Sequence, residues 1–335
     1  MENKNEYKNL LVSSAPHIVT SIDTQKTMLL VLLALVPSFC VSIYVFGFSA
    51  ILLTAVCVIA SVFFEWAWNK LMKKEQTVGD LSAVLTGVLI AFNCPSELPL
   101  WIAVIGCFVA IIVVKQLYGG IGKNLVNPAI TARIVLFISF ATQMTTWPLP
   151  LQDQAADVTT GATPLGLLAE GGESLPSNLD LFLGFVGGSM GEVSALALLI
   201  GGAFLVWKKI ISPIIPACFI GTVFLFALVY YAAAGVPEIA TGYGVFDMAL
   251  FHVLAGGVML GAIFMATDYV TSPMLPLGKV IMGVGCGVIT MLIRLFGAYP
   301  EGVSFSILIM NILVPLIDNF ALKMEIKKQA KGGAK

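Results

Sequence analysis

The sequence is short of charge. Among its 335 residues are 18 Lys or Arg and 19 Asp or Glu, 11% in all, where soluble domains average roughly 25%. So few charged side chains cannot cover a water-soluble surface of this size, which excludes a cytosolic enzyme, a nucleic-acid binder and a disordered chain. Histidine is nearly missing too. His17 and His252 have no companions at ligand spacing, and no zinc signature or Ser-His-Asp set is visible. The six cysteines (Cys40, Cys57, Cys94, Cys107, Cys218 and Cys286) include no C-x-x-C pair. That argues against a disulfide framework and against an iron–sulfur site held by this chain alone, and leaves small apolar packers. A signal peptide is not expected. Residues 1–23 are polar, and the apolar run that follows near Met28 is too long for a signal core.

What is present is apolar sequence: 58% hydrophobic residues and a mean hydropathy of +0.96. A membrane-crossing helix needs about 20 mostly apolar residues. Runs that reach or approach this start near residues 27, 49, 80, 99, 128, 191, 211, 247, 278 and 302, with short apolar cores at 81–92 and 280–293. The expectation is an all-α polytopic membrane protein of about ten transmembrane helices. Its parts are an N-terminal segment (1–26), a first five-helix half (27–142), a long loop (143–190), a second five-helix half (191–321) and a basic tail (322–335). With both termini cytoplasmic, 17 of the 18 basic residues, Lys115 and Arg133 included, fall on the inner face and only Arg294 falls toward the other. The loop from Gln143 to Met190 carries five acids and no Lys or Arg, so it is expected outside a prokaryotic cell membrane.

Gly79-Asp80-Leu81-Ser82-Ala83 is echoed by Gly191-Glu192-Val193-Ser194-Ala195, each opening an apolar run. The two copies start on opposite sides of the membrane in the ten-helix reading, as in an inverted repeat, whose sites lie between halves. Chance similarity between apolar helices is the other reading.

Three stretches carry chemistry. In the outer loop, Asp157-Val158-Thr159-Thr160-Gly161-Ala162-Thr163-Pro164 presents a hydroxyl beside uncluttered residues, with Thr163 kept from helical geometry by the proline that follows. An ordinary turn is the alternative. In the inner loop, Gly119-Gly120-Ile121-Gly122-Lys123-Asn124-Leu125-Val126-Asn127-Pro128 allows close backbone approach to a ligand, and Asn127-Pro128 suits a helix start. It is not a phosphate-binding P-loop, since position 124 is asparagine rather than Ser or Thr. At the inner end of the eighth run lies Phe264-Met265-Ala266-Thr267-Asp268, where a carboxylate is costly unless hydrated or paired. The glycines at 257, 261, 283 and 287 read as helix-packing positions, and Asp80, Glu192, Asp247 and Asp268 as acids near the membrane boundary.

With Ser14-Ala15-Pro16-His17, these stretches resemble the RnfD family, a membrane component of the Rnf ion-translocating electron-transport complex. That family includes the NqrB component of the sodium-pumping NADH:quinone oxidoreductase. The resemblance covers nearly the whole chain. It implies FMN joined through its phosphate to Thr163 by a dedicated flavin transferase, with Asp157, Thr160, Gly161 and Ala162 as the recognition pattern. A second, non-covalent flavin such as riboflavin is also implied, for which Asn124, Asn127 and Asp268 are candidate contacts. The implied role is an electron relay between ferredoxin and NAD, coupled to Na+ or H+ transport. Nicotinamide and iron–sulfur chemistry would belong to partner subunits, so the chain is no autonomous enzyme. A flavin-free secondary transporter or channel, a structural scaffold and the NqrB component of the quinone reductase are the competing readings. Covalent flavin discriminates against the first two.

Overall fold

The computed structural model describes residues 23–150, 160–170, 175–237, 239–240, 242–297, 299 and 301–332. Ten apolar helical segments answer to the ten runs. Five are long enough to cross a bilayer: α1 (Thr24–Phe46), α2 (Phe48–Leu71), α10 (Ile214–Ala234), α13 (Pro276–Phe296) and α14 (Val303–Gly332). Four are shorter: α3 (Ser82–Phe92), the segment Leu100–Gln116, α5 (Pro128–Ser139) and α9 (Ala195–Trp207). In the second of these, α4 (Leu100–Phe108) continues as a π-helical stretch, Val109–Gln116. The tenth is a bent pair. α11 (Val245–Leu254) turns by 61° into α12 (Val258–Leu260) and its π-helical continuation, Gly261–Met265.

Three more helices, α6 (Ala141–Met144), α7 (Pro164–Glu170) and α8 (Asn178–Leu183), are one or two turns long and lie in the long loop. The only strand pairing among the described residues is also there, β1 (Trp147–Pro148) against β2 (Thr160–Gly161). Prolines and glycines keep this loop from longer elements.

Helix starts follow the local sequence. The Asn127 side chain accepts from the amides of Ala129 and Ile130, and Pro128 fills the first turn of α5. Asp23 caps α1, Ser194 caps α9, and Pro276 opens α13. α13 therefore runs beyond both ends of the short 280–293 core expected for it, because Pro276 and its neighbours supply a first turn that is less apolar but still helical.

Small residues set the helix contacts. A side chain at Gly283 or Gly287 would strike Cys218 or Thr222 of α10, and one at Gly201 would strike the Ala34 carbonyl of α1. These are close backbone approaches of the kind membrane helices use. Gly261 packs likewise against Val303, and Gly257, at the bend, packs against the Glu192 side chain. The two echoed stretches have the same local form, a single 3-10 turn (Val78–Asp80 and Met190–Glu192) leading into a short helix, α3 and α9. They open the third and the sixth apolar segments.

The bend has a backbone cause and a side-chain remedy. Gly256 takes a left-handed φ of +68°. The break frees carbonyls that cannot stay unpaired at membrane depth. Arg294 of α13 donates to the carbonyls of His252 and Ala255, the latter at 2.9 Å.

Candidate functional site

The chain gathers its polar side chains at two places. The first is a cavity of about 110 Å³ where the start of α1, the start of α3, the end of the Leu100–Gln116 segment, the start of α5, the end of α9 and the connection after Met265 meet. These segment ends share one face, the terminal face. The cavity is lined by Asn124, Asn127 and Asp268, by Lys115 and Ser82, and by apolar walls that include Leu85, Leu89, Ile263 and Phe264. Two stretches far apart in sequence, Asn124–Asn127 and Asp268, are thereby brought together across the seam between the two halves.

Gly119, Gly120 and Gly122 have φ of +114°, +95° and +81°, which explains the glycines of this loop through backbone geometry. Asn127 does two jobs at once. Its oxygen caps α5, and its Nδ2 donates to the Met265 carbonyl at 3.2 Å, tying α5 to the second half. Asn124 donates to the Val126 carbonyl at 3.1 Å. Asp268 accepts from the Thr271 hydroxyl at 3.1 Å. Burial pushes its carboxyl above the usual range, and the bonds from Thr271 and from the backbone at Val270 and Tyr269 pull it partly back.

Behind this cavity lies an ion pair that the sequence reading missed. Glu65 of α2 is fully buried, and Lys115 Nζ lies 3.0 Å from both of its oxygens. Thr77 and Gln116 also donate to Glu65, and Lys115 reaches on to the Ser82 hydroxyl at 2.6 Å. The signal was available, since a glutamate inside the apolar run Phe63-Phe64-Glu65-Trp66 needs a partner at membrane depth.

The second place is on the opposite face, beside the long loop. Thr163 is 7% exposed, and its Oγ1 accepts from the Gly166 amide at 3.0 Å, capping α7. It lines a cavity of about 20 Å³ together with Glu192, Glu301 and Gly256. Gly161 sits in β2 against Trp147, and Ala162 is exposed. Thr160 is also in β2, while Asp157 lies outside the described residues, as does Ser14-Ala15-Pro16-His17.

Arg133 corrects the charge reading. It does not lie on the terminal face. It stands inside α5 and bonds to Glu192 at 3.1 Å, to Glu301 and to the Asn93 oxygen at 3.1 Å. The positive-inside count failed here because a buried arginine answers to its acidic partners, not to the membrane potential. Asn93 in turn contacts the Met265 sulfur at 3.6 Å. A continuous run of contacts, Glu192–Arg133–Asn93–Met265–Asn127, therefore joins the walls of the two cavities.

His252 has the structural role its isolation implies: its Nε2 pairs with the Tyr231 hydroxyl at 2.9 Å in a buried aromatic stack. No group of three or more His, Cys, Asp or Glu side chains suited to a metal occurs among the described residues.

Comparisons with known proteins concern the chain as a whole. A model of the NQR2, RnfD, RnfE family matches residues 11–327. The chain is 48% identical to the D subunit of the Na(+)-translocating ferredoxin:NAD(+) oxidoreductase complex of Acetobacterium woodii, covering 96% of this chain and 98% of that protein. It is 41% identical to the D subunit of the proton-translocating ferredoxin:NAD(+) oxidoreductase complex of Clostridium ljungdahlii, covering 93% and 95%. It is 40% identical to the D subunit of the ion-translocating oxidoreductase complex of Stutzerimonas stutzeri, covering 94% and 95%.

Proposed function

We propose that this chain, which belongs to the NQR2, RnfD, RnfE family, is a membrane subunit of an ion-translocating ferredoxin:NAD oxidoreductase complex. In this reading it relays electrons through FMN bound covalently to Thr163 and through a second, non-covalent flavin such as riboflavin in the terminal-face cavity. The terminal face is cytoplasmic and the long loop extracytoplasmic. The other membrane, flavin and iron–sulfur subunits of the complex supply the nicotinamide and ferredoxin steps, and a flavin transferase matures Thr163.

The observation that carries the reading is the cavity that collects Asn124 and Asn127 from one stretch and Asp268 from another, between the two halves. Its composition fits a flavin. Apolar walls suit a flat aromatic ring, while amides and a carboxyl suit a ring edge that both donates and accepts. A bound flavin would supply one- and two-electron transfer there. The chain's own residues orient the ring, exclude water and set the charge around it. At Thr163 the residues fit the bond but not the ring. Oγ1 only accepts in its present contact, as an ester oxygen also can, yet a 20 Å³ space cannot house an isoalloxazine.

The coupling ion is Na+ or H+. Relatives named for Na+ and for proton translocation both match this chain over nearly its whole length, at 48% and 41% identity, so family membership does not choose between the ions. The broken and short helices would also suit a flavin-free secondary transporter, and the test separates the two. The purified chain should carry a mass excess of one FMN and release a second flavin on acid precipitation; a chain free of both is a transporter or a scaffold.

Asn124→Ala should lose the releasable flavin with little change in stability, because its side chain reaches only its own loop. Asn127→Ala should lose the flavin and about 1–2 kcal/mol of stability, as both the α5 cap and the bridge to Met265 disappear. Flavin content and thermal unfolding of the purified variants check both. A full complement of releasable flavin in Asn124→Ala and Asp268→Asn together would move the second flavin elsewhere.

A further inference from the structure

The residue read as the attachment point is closed to chemistry in the folded chain. Thr163 is 7% exposed, its hydroxyl oxygen accepts from Gly166, and its carbonyl accepts from the Leu167 amide at 2.8 Å. The space beside the hydroxyl is about 20 Å³, room for about one water and not for a flavin phosphate. Two carboxylates, Glu192 and Glu301, form part of its wall.

Attachment requires more room than this. The threonine oxygen attacks the phosphorus of an activated flavin phosphate donor. A new P–O bond forms, the donor's P–O bond to its leaving group breaks, and the hydroxyl proton passes to a base. A flavin phosphate and the enzyme that carries it cannot reach Oγ1 while α7 is docked.

α7 is held down by its buried first turn, Pro164 to Gly166, and by Leu168 packed against the core, and the contact that meets the bend is made by Leu165. Leu165, 3% exposed, sets its Cδ1 against Gly256, at 2.7 Å from where a Cβ would stand. Gly256 is the left-handed residue of the bend between α11 and α12. The bend is therefore a socket and Leu165 its plug, with Arg294 beneath it fixing the freed carbonyls.

We propose that flavin is attached to Thr163 only when residues 160–170 have left the bend, and that the Leu165–Gly256 contact sets how often this occurs in the folded chain. The proposal rests on Thr163 being the attachment residue. It also implies that the loaded loop docks differently from the unloaded one, since the ring cannot enter the space its anchor vacates.

The test uses the full chain in membranes, made without the transferase and then supplied with the transferase and an activated flavin donor. Attachment is followed as a fluorescent band in a denaturing gel. Leu165→Ala should raise the initial rate by about ten-fold or more, because deleting buried leucine carbons weakens the docked state. Leu165→Val should give a smaller rise and serves if the alanine variant does not fold, as judged by gel filtration. Rates equal to or below wild type in both variants overturn the proposal. Wild-type chain co-produced with the transferase is the control: a missing band there means that Thr163 is not an attachment residue. A band there, with equal rates in the folded chains, defeats the docking step alone.

Discussion

Thr163→Val should yield a chain that folds, inserts and carries no covalent flavin. Valine nearly matches threonine in shape, so the buried space around position 163 stays filled. It has no oxygen to form a phosphoester. The lost cap leaves the Gly166 amide without its partner, which costs about 1–2 kcal/mol. That cost falls on a seven-residue helix in a loop and not on the membrane bundle. In-gel fluorescence and intact mass read the result directly. Thr163→Ser keeps both the hydroxyl and the cap and should stay loaded. A fluorescent band that persists in the valine variant places the attachment at another residue and ends the assignment.

The second large effect is at Arg133. Its guanidinium is nearly buried and holds Glu192 and Glu301, residues that reach it from the connections before α9 and α14. Arg133→Gln leaves two carboxylates facing each other with no cation between them. Breaking a buried pair from one side costs about 3–5 kcal/mol, because the partner charge stays buried. The variant should unfold at clearly lower temperature in detergent. Adding Glu192→Gln and Glu301→Gln should recover part of the loss, since the two carboxylates no longer repel each other, while Arg294, which also interacts with them, stays charged. Additive, independent losses across the three substitutions would mean that the carboxylates are hydrated and that the cluster does not bind the two halves together.

Much of this architecture is legible along the chain. The ten apolar segments follow from run length, and α5 begins where Asn127-Pro128 says it should. The exposed surface of α1, α2 and α10 is largely apolar, Leu33, Ile59, Leu225 and Val229 among it, as a lipid-facing surface should be. The three stretches singled out for chemistry do line the two cavities, through Asn124, Asn127 and Asp268 in one and Thr163 in the other.

The residues that were missed have one thing in common. Glu65, Lys115, Arg133 and Glu301 are charged groups whose meaning lies in a partner far along the chain. Lys115 reads as a solvated end of an apolar run until Glu65, 50 residues earlier, is seen beside it. Arg133 reads as an inner-face residue until Glu301, 168 residues later, is seen against it. The bend at Gly256 is similar. Gly257 and Gly261, just beyond it, read as packing positions, and only the Arg294 side chain, arriving from α13, makes a break tolerable at that depth.

The sequence by itself determined what depends on a residue and its near neighbours. These are the membrane class, the number of apolar segments, the caps that start helices and the loop that holds Thr163. Each follows from the match between run length and bilayer thickness or from local backbone geometry. The tertiary structure alone decided which charges neutralise one another, where a helix can break, and that Thr163 lies under a plug. Those outcomes rest on contacts between distant segments, and in a medium without water each buried polar group takes whichever partner the packing brings within reach.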